Sequence, residues 1–168
     1  YKILVFPIDR IEKVPESRQT KDFFKYGYIM RMSNSFKVPI KPSFISLDSD
    51  SGQFVIGEYA QKYKKELCWF TPGQEDEIHT KPLYKKMQGA ASHDECVWIA
   101  SSYGSDNNST LYATNRESLG KPEEAKETDY PPGLEDIYLS KSTKSIWMLT
   151  EFEKERVVFE TSISKLKP

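Results

Sequence analysis

The sequence predicts an all-β fold, a portion of a β-propeller, and two observations support this prediction. One pattern occurs three times: PSFISLDSDSGQFVIGEYAQKYKKELCWF is followed by KMQGAASHDECVWIASSYGSDNNSTLYATN and by PGLEDIYLSKSTKSIWMLTEFEKERVVFETS. The copies read as short strands, and no segment shows a sustained helical period of about 3.6 residues. Repeats of about 40 to 50 residues built from short strands are typical of propeller blades. The alternative is a β-sandwich or a small barrel.

Aligning the three copies brings aromatic and acidic residues to matching positions. Phe54, Trp98 and Trp147 coincide, at intervals of 44 and 49 residues. Glu58 and Glu151 then share a second position, at the end of the strand that carries the aromatic residue. Matching positions in successive blades indicate side chains that repeat around one axis.

The strand predictions divide one domain into five segments. Residues 1–8 form a strand that completes a preceding blade, 9–42 a loop and an outer strand, 43–83 a blade, 84–130 a blade and a linker, and 131–168 the C-terminal blade. Three blades and one strand do not close a propeller, which needs about four to eight blades. We therefore expect a companion polypeptide to supply the remaining blades, with this chain being a processed product, a fragment or a separate subunit.

Composition excludes some partners and leaves one question open. Lys and Arg total 24 against 25 Asp and Glu, so no basic excess is present to attract nucleic acid. No apolar run approaches the roughly 20 residues of a membrane span. Cys68 and Cys96 lie in predicted strands of successive repeats. They are either buried free thiols or a disulfide, and a disulfide would require an oxidising compartment.

The candidate ligand-binding residues are polar side chains near the mouth of the expected central channel, where propellers bind ligands. Gln88, Glu135 and Asp136 stand at the starts of predicted inner strands, and Glu58 and Glu151 end the next strands. We expect no cofactor. The alternative is Ca²⁺ or another divalent cation in the central channel, held by Glu58, Glu135 and Glu151. A structural role, in which these carboxylates accept hydrogen bonds between blades, competes with ligand binding.

One aromatic residue and one histidine lie in predicted loops. Tyr63 falls outside the repeat register and is the candidate surface platform for a sugar or a peptide. Phe152 falls in register with other repeated aromatic residues and is predicted to pack between blades. His93 is predicted to lie in a hairpin turn at the surface. No G-x-S-x-G, P-loop, HExxH or G-x-G-x-x-G pattern occurs, so no catalytic residue is assigned.

Residues 42–162 resemble propeller blades of the NHL and gluconolactonase kinds. A closer likeness is to secreted bacterial proteins of unassigned function, which are common in actinomycetes. The segments that carry it are FISLDSDSGQFVIGEY, KKMQGAASHDECVWIASS and YPPGLEDIYLSKSTKSIWMLTEFEKERVVF, in the same order. The resemblance implies a propeller and an extracellular setting, and it brings no established catalytic residues.

From these observations we predict a non-enzymatic, extracellular binding or assembly module that recognises a protein or a glycan. The alternative function is a metal-dependent hydrolase or lactonase of the gluconolactonase-like type. A bound divalent ion with several protein oxygen ligands would favour the hydrolase. An accessible aromatic or apolar patch away from the axis would favour the binding module.

Overall fold

The computed structural model describes residues 1–15, 28–48, 50–59, 66–74, 79–82, 86–119, 121–151 and 156–168. Its regular elements are strands and short 3₁₀ helices, so the prediction of an all-β fold is confirmed in these ranges. Contacts divide the chain into two compact units, Tyr1–Pro39 and Ile40–Pro168. Two residues that the sequence singles out, Tyr63 and Phe152, lie outside the described ranges.

The first unit contains two antiparallel strand pairs. Strands β1 (Lys2–Val5) and β4 (Asn34–Lys37) form one pair, and β2 (Ile11–Lys13) and β3 (Tyr28–Met30) form the other. Residues 34–37, within the segment expected to be a loop and an outer strand, pair with β1 along its whole length.

The second unit contains three antiparallel meanders, and in each of them the strands lie side by side in sequence order. The first sheet comprises β5 (Pro42–Asp48), β6 (Gln53–Glu58), β7 (Glu66–Phe70) and β8 (His79–Pro82); the second comprises β9 (Met87–His93), β10 (Cys96–Ser101), β11 (Ser109–Asn115) and β12 (Lys126–Tyr130); the third comprises β13 (Leu134–Ser140), β14 (Ser145–Thr150) and β15 (Val158–Ser162). The 3₁₀ turn Pro122–Glu124 precedes β12, and the 3₁₀ turn Ile163–Lys165 follows β15.

Local turn chemistry explains the hairpins. Gly52 closes the first hairpin with a φ of 73°, which glycine adopts without strain, and Asp48 accepts the N–H of Asp50 at 3.0 Å. The second hairpin turns on Asp94 and Glu95, whose φ values of 46° and 63° are those of a tight two-residue turn. These turns fix the register of each first strand pair.

The first strands of the three sheets, β5, β9 and β13, lie side by side. Ser43 Oγ donates to the carbonyl of Met87 at 2.8 Å, which joins β5 to β9. At Gly89 a Cβ atom would lie 3.1 Å from the backbone nitrogen of Ile137, so the missing side chain allows β9 to approach β13 closely. The sheets therefore stack in sequence order around their first strands.

Two hydrophobic clusters fill the spaces between successive sheets. Between the first and second sheets the buried members are Val55, Leu67, Met87, Ala90, Val97, Ile99 and Leu119. Between the second and third sheets they are Ala91, Cys96, Trp98, Ala100, Leu111, Ala113, Leu134, Ile137, Ile146, Met148, Ile163 and Leu166. Because neighbouring residues on a strand point to opposite faces, the second sheet contributes alternate residues to both clusters.

Candidate functional site

A β-bulge occurs at the same place in each sheet and sets the position of the candidate site. The pairing of the first two strands skips Ser43 in the first sheet, Gln88 in the second and Glu135 in the third. A bulge leaves one residue unpaired and redirects its side chain. Ser43 and Gln88 both use this freedom to bond the next sheet, the former to a carbonyl and the latter to Glu135.

Three of the predicted site residues meet at this level of the second and third sheets. Gln88 Nε2 donates to Glu135 Oε1 at 2.9 Å, and the carboxyl group of Glu151 lies near enough to that of Glu135 to influence its pKa. Glu151 is held there by its backbone N–H, which donates to the carbonyl of Gly133 at 2.8 Å. The structure thus brings together the amide of Gln88 and the carboxyl groups of Glu135 and Glu151. The sequence placed the first two at the starts of inner strands and Glu151 at the end of a strand.

The surroundings of Glu135 change its acidity. Partial burial, followed by the neighbouring carboxyl group of Glu151, raises the pKa of Glu135 to about 7, and the amide of Gln88 acts in the opposite direction. The negative charge of Asp136 also raises the pKa of Glu135, but by less. The Oδ1 of Asp136 accepts the N–H of Ile137 at 2.8 Å. Near neutral pH this site can therefore hold or release a proton.

Glu58 stands in a different environment. Its Oε1 accepts the N–H of Lys41 at 3.0 Å, beside a cleft of about 260 Å³ on the first sheet. The bulge register pairs Glu58 with Pro42 and Thr150 with Leu134, so Glu58 corresponds to Thr150 rather than to Glu151. The sequence alignment is therefore wrong by one residue in the first copy, and in the described part of the chain Glu58 is not among the groups that surround Glu135.

A second polar cluster, which the sequence analysis did not predict, joins the hairpin turns of all three sheets. Asp50 of the first turn contacts Nδ1 of His93 at 2.9 Å and accepts the N–H of Asp94 at 3.1 Å; the ammonium of Lys141 in the third turn also bonds Asp50. Lys141 and then His93 hold the pKa of Asp50 well below its usual value.

This turn cluster also has the composition of a metal site. Ligand atoms of Asp50, His93 and Asp94 lie within 4.8 Å of one another. The ammonium of Lys141 already supplies a positive charge to Asp50, so the cluster acts as an ion-pair clasp between turns. The available signal was positional: His93 and Lys141 each lie in the hairpin turn of a repeat, and turns of stacked sheets gather at one end.

One face of the third sheet carries several exposed large apolar side chains. We call the face of each sheet that points toward the next sheet in sequence its forward face. Relative to the bulge, Val55, Trp98 and Trp147 occupy the same forward position. Val55 is covered by the second sheet and Trp98 by the third. Trp147 remains 37% exposed.

The other forward positions of the third sheet follow the same rule. Its exposed apolar residues are Tyr138, Trp147, Leu149 and Val158, which lie on neighbouring strands and on one face. Their second-sheet equivalents Ala91, Trp98, Ala100 and Leu111 are all buried. A groove of about 590 Å³ runs beside this face and is lined by Tyr138 and, across it, by Ile45 and Leu47 of the first sheet.

Comparisons with protein-family models, with curated proteins and with solved structures found no match for the chain. None of the helices in the described ranges is both long and apolar enough to cross a membrane. Functional assignment therefore depends on the geometry of the described residues.

Proposed function

We propose that this chain is a section of an extracellular β-propeller and serves as a non-enzymatic binding and assembly module. In this proposal a companion polypeptide supplies the remaining blades and begins by packing on the forward face of the third sheet. The observation that carries the proposal is the repeated forward position: Val55 and Trp98 are each buried by the following sheet, whereas Trp147 is exposed.

The magnitude of this exposed surface supports an assembly role. Tyr138, Trp147, Leu149 and Val158 are between 37% and 68% exposed and form one continuous patch. Fully burying an exposed large apolar side chain contributes about 1.5 to 3 kcal/mol, so covering these four partly exposed side chains would contribute roughly half of that each. Contiguous apolar patches of this kind mark interaction surfaces on folded proteins.

The proposed companion is not a second copy added head to tail. Such a copy would have to offer the opposite face of its first sheet, where Ile56, Cys68 and Phe70 point. These three side chains of β6 and β7 are already fully buried within the chain, although Ile45 and Leu47 of β5 on the same face are exposed. A different polypeptide with an apolar sheet face therefore fits the exposed surface better.

For ligand recognition we propose the polar group at the bulges, Gln88, Glu135 and Glu151. Its protein or glycan ligand would present hydrogen-bond donors, because the group offers two carboxyls and an amide oxygen. Glu135→Gln combined with Glu151→Gln removes the charges while retaining the shape. The double variant is expected to keep its companion and to lose ligand binding.

The metal-dependent hydrolase is a second candidate because Glu135 and Glu151 meet, as a cation site requires. Glu58, its third expected ligand, bonds Lys41 instead. Thermal unfolding with and without Ca²⁺ separates the candidates. The binding-module proposal predicts the same midpoint in both conditions, and a saturable rise that disappears in Glu151→Gln would favour the hydrolase.

The assembly proposal is tested by the intact mass of the native protein before and after denaturation and reduction. We expect the native mass to include a second polypeptide bound to the 19.5 kDa chain, and we expect the two to separate on denaturation. A native monomer of 19.5 kDa would contradict the proposal. A single longer polypeptide would contradict the companion chain but not the docking of a further sheet, which the exposure of Trp147 tests separately.

A further inference from the structure

The third sheet differs from the first two in its number of strands. The first and second sheets each have four strands, and within the described ranges the third has only β13, β14 and β15. In the second sheet the fourth strand, β12, pairs with β11 through Leu111 and Thr128 and through Ala113 and Lys126. The corresponding edge of the third sheet is the outer edge of β15.

The register shows which backbone groups face outward from β15. At the two ends of the ladder with β14, Thr150 N–H donates to the carbonyl of Val157 at 3.1 Å and Ile163 N–H donates to that of Lys144 at 3.0 Å. In an antiparallel pair these bonds occur at every second residue. Phe159 and Thr161 therefore face β14, and Val158, Glu160 and Ser162 face outward.

Two of the outward residues have paired equivalents in the second sheet. Val158 corresponds to Leu111, because each lies opposite an equivalent residue of the preceding strand, Leu149 and Ala100 respectively. Two residues further along, Glu160 corresponds to Ala113. Leu111 is 1% exposed beneath its neighbours, whereas Val158 is 59% exposed. Among the described residues, neither the outer backbone edge nor the side chain at this position is covered by a further strand.

We propose that the companion polypeptide adds an extended strand to β15, antiparallel and hydrogen-bonded to Val158 and Glu160. This inference rests on the proposed function, because the same companion covers the adjoining forward face. Strand addition to an open edge is an established mode of recognition, in which the main chain provides affinity and alternate side chains provide specificity. It also removes an edge that would otherwise promote aggregation.

The exposed apolar side chain of Val158 and the charge of Glu160 define the chemistry of the added strand. The residue opposite Val158 is apolar or β-branched, because its side chain lies beside Val158 on the forward face, as that of Thr128 lies beside Leu111. The residue opposite Glu160 is basic, because Glu160 presents an exposed carboxylate whose Oε1 is bonded only to Ser145 at 2.8 Å among the described residues. In the second sheet the corresponding cross-strand position is occupied by Lys126.

Amide hydrogen exchange of the native assembly tests the proposal. The amides of Val158 and Glu160 are expected to exchange at least 100-fold more slowly than the amide of Ser162. Ser162 also faces outward, but it lies beyond the end of the strand that the companion adds. Equal exchange at all three amides would overturn strand addition. If the amides exchange equally but Trp147 is covered in the same sample, docking on the forward face remains supported. A monomeric protein would contradict both the docking and the strand addition.

A matched pair of variants gives a second test. Glu160→Pro removes an outward N–H without removing a bond to β14, and Glu160→Ala removes only the side chain. Glu160→Pro is expected to lower the affinity for the companion about tenfold or more, while Glu160→Ala changes it less than threefold. Far-UV circular dichroism checks that both variants fold. A folded Glu160→Pro that binds the companion as tightly as Glu160→Ala does would overturn the proposal.

Discussion

Trp98 and Trp147 occupy the same register position in successive sheets but lie in opposite environments. Trp98 is fully buried, and its Nε1 donates to the carbonyl of Leu166 at 2.8 Å. Trp147 is 37% exposed. The difference arises because the third sheet covers Trp98, while no sheet in the described ranges covers Trp147.

Truncating these two tryptophans is expected to have unequal effects on the isolated chain. Trp98→Ala removes a packed ring and a buried hydrogen bond, so it should lower the free energy of unfolding by about 3 to 5 kcal/mol. Trp147→Ala should lower it by less, about 1 to 2 kcal/mol, because more than a third of its surface is already exposed to water. Urea denaturation measures both values. Equal losses would show that Trp147 is already packed as tightly as Trp98.

Glu135 should make stability decrease as pH rises. Its pKa is raised from 4.5 to about 7 in the folded chain, so between these values the folded state binds a proton that the unfolded state has released. The free energy of unfolding therefore falls as pH increases through this window. Glu135→Gln should remove the dependence and stabilise the chain at pH 8 by about 1 kcal/mol, since water screens this partly buried group.

The control for this titration is Glu117→Gln, which changes an exposed glutamate. It should leave the slope of stability against pH between 4.5 and 7 unchanged. An unchanged slope in Glu135→Gln as well would mean that the carboxyl pair does not share a proton.

Removing Arg116 should strongly destabilise the junction of the first and second sheets. Asp48 is 1% exposed and pairs with the Nη2 of Arg116, so Arg116→Ala would leave a buried carboxylate without its cation. Loss of one partner from a buried pair costs about 3 to 5 kcal/mol. Arg31→Ala is the matched control, because Arg31 and Glu12 form an exposed pair worth less than about 1 kcal/mol. Similar losses in the two variants would contradict this assignment.

Both cysteine thiols should resist modification in the folded chain. Cys68 and Cys96 are buried and form no disulfide, and burial raises the pKa of the Cys96 thiol. A thiol-specific reagent at pH 8 should react with neither residue until the chain is unfolded, and then with both, because the thiolate is the reactive form. Rapid reaction of Cys96 without denaturant would show that the C-terminal residues covering it open readily.

The sequence predicted the strands better than their register. Turn residues and β-branched runs predicted short strands in all three repeats, and the structure has a strand hairpin in each. The alignment slipped by one residue in the first copy because the first hairpin turn is longer than the second, and Phe54 offered a false match to Trp98. A slip of one residue exchanges the two faces of a strand, so the forward position of Val55 became visible only in the structure.

The polar sites were predicted unevenly for a related reason. Gln88 and Glu135 could be placed at inner-strand starts by repeat position, and the structure joins them because both are bulge residues. The cluster of Asp50, His93 and Lys141 was not predicted, because no local pattern marks it and its only signal is that the hairpin ends of stacked sheets gather on one side. β12 was also missed, because KETDY is polar and is recognisable as a strand only beside β11.

The most direct test of the account is hydroxyl-radical footprinting of Trp147 and Tyr138 in the native assembly and after its dissociation, with Trp98 as the internal reference. The account predicts that Trp147 and Tyr138 are as protected as Trp98 in the assembly and become at least tenfold more reactive once the companion is removed, while Trp98 stays protected. Equal and high reactivity of Trp147 and Tyr138 in both samples would show that no sheet covers the forward face, and the propeller section and its companion would both be contradicted.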